Sequence, residues 1–273
     1  MRILFCGDVV GRSGREAVLR HIPEVRERLK LDLVVVNAEN AAGGFGITER
    51  LCQEFYDTGV DVLTLGNHAW AQREIVGYID QDPKLLRPLN YPETTPGLGS
   101  GLYPTASGER ALVVQVMGRL FMEPLDDPFA AVEKVLANHR LGSTVGAIIV
   151  DIHAEATSEK MAMGHHLDGR VSLVAGTHTH VPTADTQVLP GGTAYISDVG
   201  MCGDYDSVIG MKKETSIKRF LRPIRTEAFS PADGEATLCG LYVETDPKTG
   251  LATHAAPLRL GGRLKPAWPV EEG

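Results

Sequence analysis

Apolar residues in this chain fall into short unbroken runs separated by segments of a different period. Arg2 to Cys6, Leu33 to Val36, Val60 to Leu65, Ala111 to Met117, Ala147 to Val150 and Val171 to Ala175 read as strands. Their interiors are almost purely apolar, as expected of strands covered on both faces. Between them the period lengthens. Val18, Leu19, Ile22, Val25 and Leu29 recur every 3.6 residues and predict a helix from Ser13, taken as its cap, to about Leu29. Thr48 is read as the cap of a helix through Asp57, and Thr157 as the cap of one to about His166. Asp127-Pro128 starts a helix to about His139, with a cap residue and then proline at the first helical position. Strand and helix in alternation predict a parallel sheet with right-handed crossovers.

Other segments break this rhythm. Pro88, Pro92, Pro96 and Pro104 bar a helix between Pro83 and Gly108, which reads as a long connection carrying one short strand. Pro190-Gly191-Gly192 between Gln187 to Leu189 and Thr193 to Ser197 signals a hairpin. A second hairpin is read in Glu235 to Glu244 and Leu251 to Leu260, around Asp246-Pro247-Lys248-Thr249-Gly250. No repeat and no boundary interrupts the chain, so residues 1–273 are read as a single domain.

Polar residues appear abruptly where the strands stop. The first strand is followed by Asp8, the second by Glu39 and Asn40, and the third by Asn67 and His68. Later strands lead to His153, and then to His178 and His180 within Gly176-Thr177-His178-Thr179-His180. Open α/β sheets gather functional groups outside the carboxyl ends of their strands. In extended backbone residues two apart point the same way, so His178 and His180 are expected to serve neighbouring ions from one edge. Carboxylate, carboxamide and imidazole without sulfur suit iron, manganese, zinc or cobalt better than calcium or magnesium. The donors outnumber the needs of one tetrahedral ion. They fit two ions roughly 3.5–4 Å apart that share a carboxylate.

Composition narrows the partners. The net charge is −8, which disfavours bulk nucleic acid and acidic membranes, although a bound metal can still attract a phosphate. Cys6, Cys52, Cys202 and Cys239 lack CxxC spacing, so neither a disulfide framework nor a thiolate site is expected. With no signal-peptide pattern and no bilayer-length apolar run, the chain is read as cytoplasmic. Gly7, Gly11 and Gly14 match neither GxGxxG nor a Walker A loop, and no GxSxG elbow is present. Lys212, Lys213, Lys218, Arg219, Arg222 and Arg225 form a basic run, read as a solvated helix face, with a lid or subunit contact as the alternative. Tyr205, Asp206 and Ser207, just before it, are candidates for a pocket mouth.

Taken in order, Gly7-Asp8, Gly66-Asn67-His68, His153 and Gly176-Thr177-His178-Thr179-His180 resemble the calcineurin-like metallophosphoesterase superfamily. Gly7-Asp8-Val9-Val10-Gly11, Asn37-Ala38-Glu39-Asn40 and Trp70 resemble its YmdB-like bacterial branch of phosphodiesterases. The resemblance implies a four-layer α-β-β-α sandwich with two sheets flanked by helices. It implies one metal held by Asp8, Glu39, Asn40 and His180, and another held by Glu39, Asn67, His153 and His178, with Glu39 bridging. A hydroxide between the ions, iron or manganese first and zinc or cobalt next, would attack phosphorus. His68, not a ligand, would stabilise the developing charge or protonate the leaving oxygen. The implied substrate is a small phosphodiester, a 2′,3′- or 3′,5′-cyclic nucleotide. A phosphomonoesterase or ribonuclease on the same site, or a regulatory protein acting through a partner or RNA, is the alternative, and a homo-oligomer is compatible with either. The chain departs from the superfamily at Val10, where a histidine is usual, at Glu39, where an aspartate is usual, and at Ala69, where an acidic residue is usual.

Overall fold

The computed structural model describes residues 1–221 and 227–270. Its first part runs β1 (Arg2–Cys6), α1 (Gly11–Leu29), β2 (Leu33–Asn37), α2 (Glu49–Asp57), β3 (Val62–Thr64), α3 (Ile75–Tyr78) and β4 (Leu85–Leu86). Next come β5 (Ser100–Pro104), β6 (Arg110–Met117), α4 (Pro128–Leu136), β7 (Ala147–His153), α5 (Thr157–Leu167) and β8 (Leu173–Thr177). The last part holds β9 (Gln187–Val188), β10 (Ala194–Ile196), β11 (Gly203–Asp204), α6 (Lys213–Leu221), β12 (Ala236–Thr245) and β13 (Ala252–Leu260).

The strands form two sheets. One has the order β11-β12-β1-β2-β3-β4, with β13 paired to β12, and the other has the order β5-β6-β7-β8-β10-β9. In each, four consecutive neighbours are parallel: β1 to β4 in the first, and β6, β7, β8 and β10 in the second. Alternation along β1 explains the layering. Ile3 and Phe5 enter a core shared with Val113, Ile149 and Leu173 of the other sheet. Leu4 points the other way, into a core with Val18, Ile22 and Val25 of α1. On the far side Leu112, Ile148 and Val150 pack with Val132 of α4 and Met163 of α5. The result is helix, sheet, sheet, helix. Two-sided cover is why the strands read as apolar runs rather than alternating ones.

Several expectations about element ends are corrected. Ser13 does not cap α1, which begins at Gly11 with Val10 as its cap. The Ser13 hydroxyl donates instead to the Ala232 carbonyl at 3.2 Å. Thr157 is the first helical residue of α5, and Ala156 holds the cap position. The helix α4 stops at Leu136, short of His139. Thr48 and Asp127 do cap, accepting from the amide of Leu51 and from those of Phe129 and Ala130. The proline-rich connection carries two strands, β4 and β5, rather than one. Among the described residues no helix is long and apolar enough to cross a membrane.

Candidate metal centre

The carboxyl ends of the parallel strands of both sheets meet at one edge, and all eight residues singled out in the sequence lie there. Asp8, Glu39 and His180 offer donor atoms within 4.8 Å of one another, and so do Glu39, His153 and His178. Glu39 belongs to both groups. Asn67 Oδ1 is 2.9 Å from His153 Nε2. Asn40 is held in place by its backbone, whose carbonyl accepts from the Gly11 amide at 2.9 Å. Its Nδ2 donates to the Gly44 carbonyl at 2.9 Å, which leaves Oδ1 as the free end. The His68 amide donates to Glu39 Oε2 at 3.1 Å, while its ring meets the edge of Phe45.

Local backbone makes this convergence. Glycine is required at position 66, because a Cβ there would run into Glu39 Oε2 and His153 Nε2. The expected extended His178–His180 pair is instead a turn, with φ of 95° and 67°. Left-handed backbone is uncommon outside glycine, and its cost is offset by the contacts the turn makes. The His178 amide donates to Asp8 Oδ2 at 3.2 Å. The Thr179 amide and hydroxyl donate to Asp198 Oδ2 at 3.0 and 2.7 Å. Asp198 also takes a 2.8 Å ion pair from Lys160, and both side chains are buried.

Two buried side-chain oxygens among the described residues have no hydrogen-bond partner, Asp8 Oδ1 and Asn40 Oδ1. An orphaned buried acceptor is costly, and a cation between such atoms removes the cost. The imidazoles are arranged in the same sense. His180 Nδ1 faces the Ile209 carbonyl at 2.8 Å, which leaves Nε2 toward Asp8 Oδ1 at 3.9 Å. His178 Nε2 faces Glu155 Oε2 at 3.2 Å, and its Nδ1 looks at His153 Nε2 across 3.1 Å. Ring nitrogens this close, beside Glu39 Oε1 at 3.3 Å, suit a shared cation. Without one, protons must fill the same role. Burial works against a charged His153, but the Glu39 carboxylate, with Asp8 and Asp151, outweighs it and raises the pKa to about 9. Burial pushes Glu39 up, and His153 more than reverses this, to about 2. Burial raises Asp8 to about 6 against the pull of His180 and His153. Burial lowers His178 to about 3, and neighbouring His153 adds to the effect. A metal ion competes with the proton for such groups, so its uptake releases protons.

Other sequence expectations sort themselves around the site. Val10, where a ligand is usual in the superfamily, is buried against Met201 and Met211 and offers no donor. Tyr205 braces rather than lines a mouth: its hydroxyl accepts from the Met201 amide at 2.9 Å and faces the His180 carbonyl at 3.1 Å. Asp206 is occupied by Lys213 and Arg263. In the basic run Lys212 pairs with Asp233, Lys218 pairs with Glu227, and Arg219 stacks on Phe229. Arg222 and Arg225 lie outside the described residues. The sequence reading missed Lys160, Asp198, Glu155, Phe45 and Asp151. The only available signal was charge inside otherwise apolar stretches, as at Asp151 within β7.

Comparison with known proteins agrees with this architecture. The chain matches the family described as YmdB-like protein over residues 4–258. It is 47% identical over 251 residues to the 2′,3′-cyclic-nucleotide 2′-phosphodiesterase of Bacillus subtilis, covering 91% of this chain and 93% of that one. A hypothetical protein from Thermus thermophilus superposes with a TM-score of 0.89 at 44% identity, over 96% of this chain and all of the other. A structure titled as a novel phosphatase from Mycoplasma pneumoniae gives a TM-score of 0.88 at 33% identity, over 96% and 93%. With its two sheets flanked by helices and its cluster of His, Asp and Glu side chains at the strand ends, the chain has the calcineurin-like metallophosphoesterase fold and belongs to the YmdB-like family.

Proposed function

We propose that this protein is a dinuclear metal-dependent phosphodiesterase that hydrolyses small cyclic nucleotides, with a 2′,3′-cyclic nucleotide as the first candidate. The observation that carries this reading is the pair of donor groups sharing Glu39, in one of which Asp8 keeps a buried oxygen without a hydrogen-bond partner, as Asn40 does on the loop after β2. Asp8, Glu39, Asn40 and His180 would hold one ion, and Glu39, Asn67, His153 and His178 the other. When bound, the ions supply Lewis acidity and an ionised water. Iron or manganese suits a set of carboxylate, carboxamide and imidazole donors. His68 stands apart from these donors. Burial lowers its pKa, against the pull of Glu39, so the neutral ring is favoured and offers an N–H to the leaving oxygen. In the overall reaction a phosphorus–oxygen bond to ribose gives way to one from water, and a proton ends on the ribose oxygen.

A diester is favoured over a monoester by charge. A monoester carries more negative charge and calls for extra cations, yet Lys212, Lys213 and Lys218 are already paired with carboxylates. The name of the Bacillus relative points to the same substrate class. The test compares bis- and mono-nitrophenyl phosphate and a 2′,3′-cyclic nucleotide, alongside elemental analysis of the purified protein. The expected result is diester hydrolysis that chelation abolishes, manganese restores and Glu39→Gln eliminates. Faster cleavage of the monoester, or diesterase activity indifferent to chelation, would overturn the proposal.

A further inference from the structure

Beneath the candidate metal centre lies a set of polar side chains that the proposed chemistry does not use. Asp151 of β7 is fully buried between the sheets, as are Asn37 of β2, Thr64 of β3, Gln115 of β6 and Thr177 of β8. Asp151 Oδ2 receives the Thr64 hydroxyl at 2.6 Å, Asn37 Nδ2 at 3.1 Å and Gln115 Nε2 at 3.3 Å. The orientation of both amides is fixed by backbone donors: the Glu39 amide donates to Asn37 Oδ1 at 3.2 Å, and the Leu65 amide to Gln115 Oε1 at 2.8 Å. Asp151 therefore meets donors on every side and acts purely as an acceptor. Its Oδ1 takes the Thr177 hydroxyl at 2.7 Å.

A threonine hydroxyl has one hydrogen, and here Asp151 has it. The Thr177 oxygen, 2.9 Å from His153 Nδ1, must then accept, so Nδ1 carries a proton. His153 Nε2 is left as the nitrogen that faces Glu39 and His178. We infer that Asp151 and Thr177 are positioning residues that fix the tautomer and orientation of His153 so that Nε2 is the atom presented to a cation. The inference rests on the proposed metal-dependent function. A chain of partners behind a ligating histidine raises its basicity and fixes its ring, and its loss typically costs about 10–100-fold in metal affinity.

Thr177→Val and Thr177→Ser test this with zinc as the probe. Zinc affinity is read by chelator competition, and the His153 Nδ1–H is followed by NMR of zinc-loaded, ¹⁵N-histidine-labelled protein. Valine keeps the volume and loses the hydroxyl, whereas serine keeps the hydroxyl and loses a methyl. Positioning predicts that valine weakens zinc binding about 10–100-fold and abolishes the protected Nδ1–H resonance, with serine within a few-fold of the parent. A packing role predicts the reverse order. Asp151→Asn, if it folds, should behave like the valine variant. Parent-like zinc affinity in Thr177→Val, or serine worse than valine, overturns the inference alone. A parent protein that binds no zinc overturns the proposed function and this inference with it.

Discussion

His68 illustrates how a side chain is left available by what is missing around it. Its ring lies against Phe45 and, among the described residues, has no hydrogen-bonding side chain. It is therefore free to meet a substrate oxygen. Removing it as His68→Ala should cut kcat by about 10²–10⁴-fold, the usual worth of one proton donor. Metal content by elemental analysis should be unchanged, and loss of metal in this variant would place His68 among the ligands. At this scale the sequence was generous. Every candidate ligand stood at a strand end, where a polar residue after an apolar run is conspicuous. Asp151, Lys160 and Asp198 were not legible, because the side chains they bond lie 19 to 114 residues away in sequence and only the fold brings them together. The departure at Val10 was legible as a missing donor, and the unpartnered Asn40 Oδ1 is the oxygen proposed to stand in its place.

Between strand and helix, short turns set the geometry, and they tolerate little. At Gly66 a methyl group would occupy the space between Glu39 and His153. Gly66→Ala is therefore expected to lose metal binding while its far-ultraviolet circular dichroism stays native. Retention of full metal content would show that the turn can yield. Helices α4 and α5 are tied at their outer surface by Glu133, which pairs with Arg170 at 2.7 Å and His166 at 2.8 Å. Arg170, with His166, holds the Glu133 carboxyl down to about 2. A carboxylate depressed in the folded state stabilises above its unfolded pKa and loses that contribution as pH falls through its folded value. The stability gap between parent and Glu133→Gln should be constant above pH 4.5 and close between 4.5 and about 2. For a pair this exposed the gap should stay within about 1 kcal/mol, measured by urea unfolding. Elements were legible where local signals decide them, as at the Thr48 and Asp127 caps. They failed where a tertiary partner decides: Ser13 is drawn to Ala232, and two-residue β4 exists only because β3 lies beside it. Pro104 did not forbid a strand because β5 is an edge, where a missing amide hydrogen matters little.

At the scale of the whole molecule, the candidate ligands are drawn from both sheets, so a bound cation would act as a clasp between them. A ligand that binds only the folded state adds RT ln(1 + [L]/Kd), about 4 kcal/mol at a thousandfold excess over Kd. Chelation should therefore lower the melting temperature by several degrees, and manganese should restore it. An unmoved melting temperature in calorimetry would show that the sheets do not depend on the ions. The order of the first sheet has a further consequence, for synthesis. β1 is flanked on one side by β2 and on the other by β12, whose residues Ala236–Thr245 begin 230 positions after Cys6. At about 5–20 residues per second, the interval between these strands leaves the outer edge of β1 unpaired for roughly 12–46 s in each nascent chain. An open strand edge invites pairing with other chains, so the growing polypeptide is exposed to mispairing at β1 until the β12–β13 hairpin has been made.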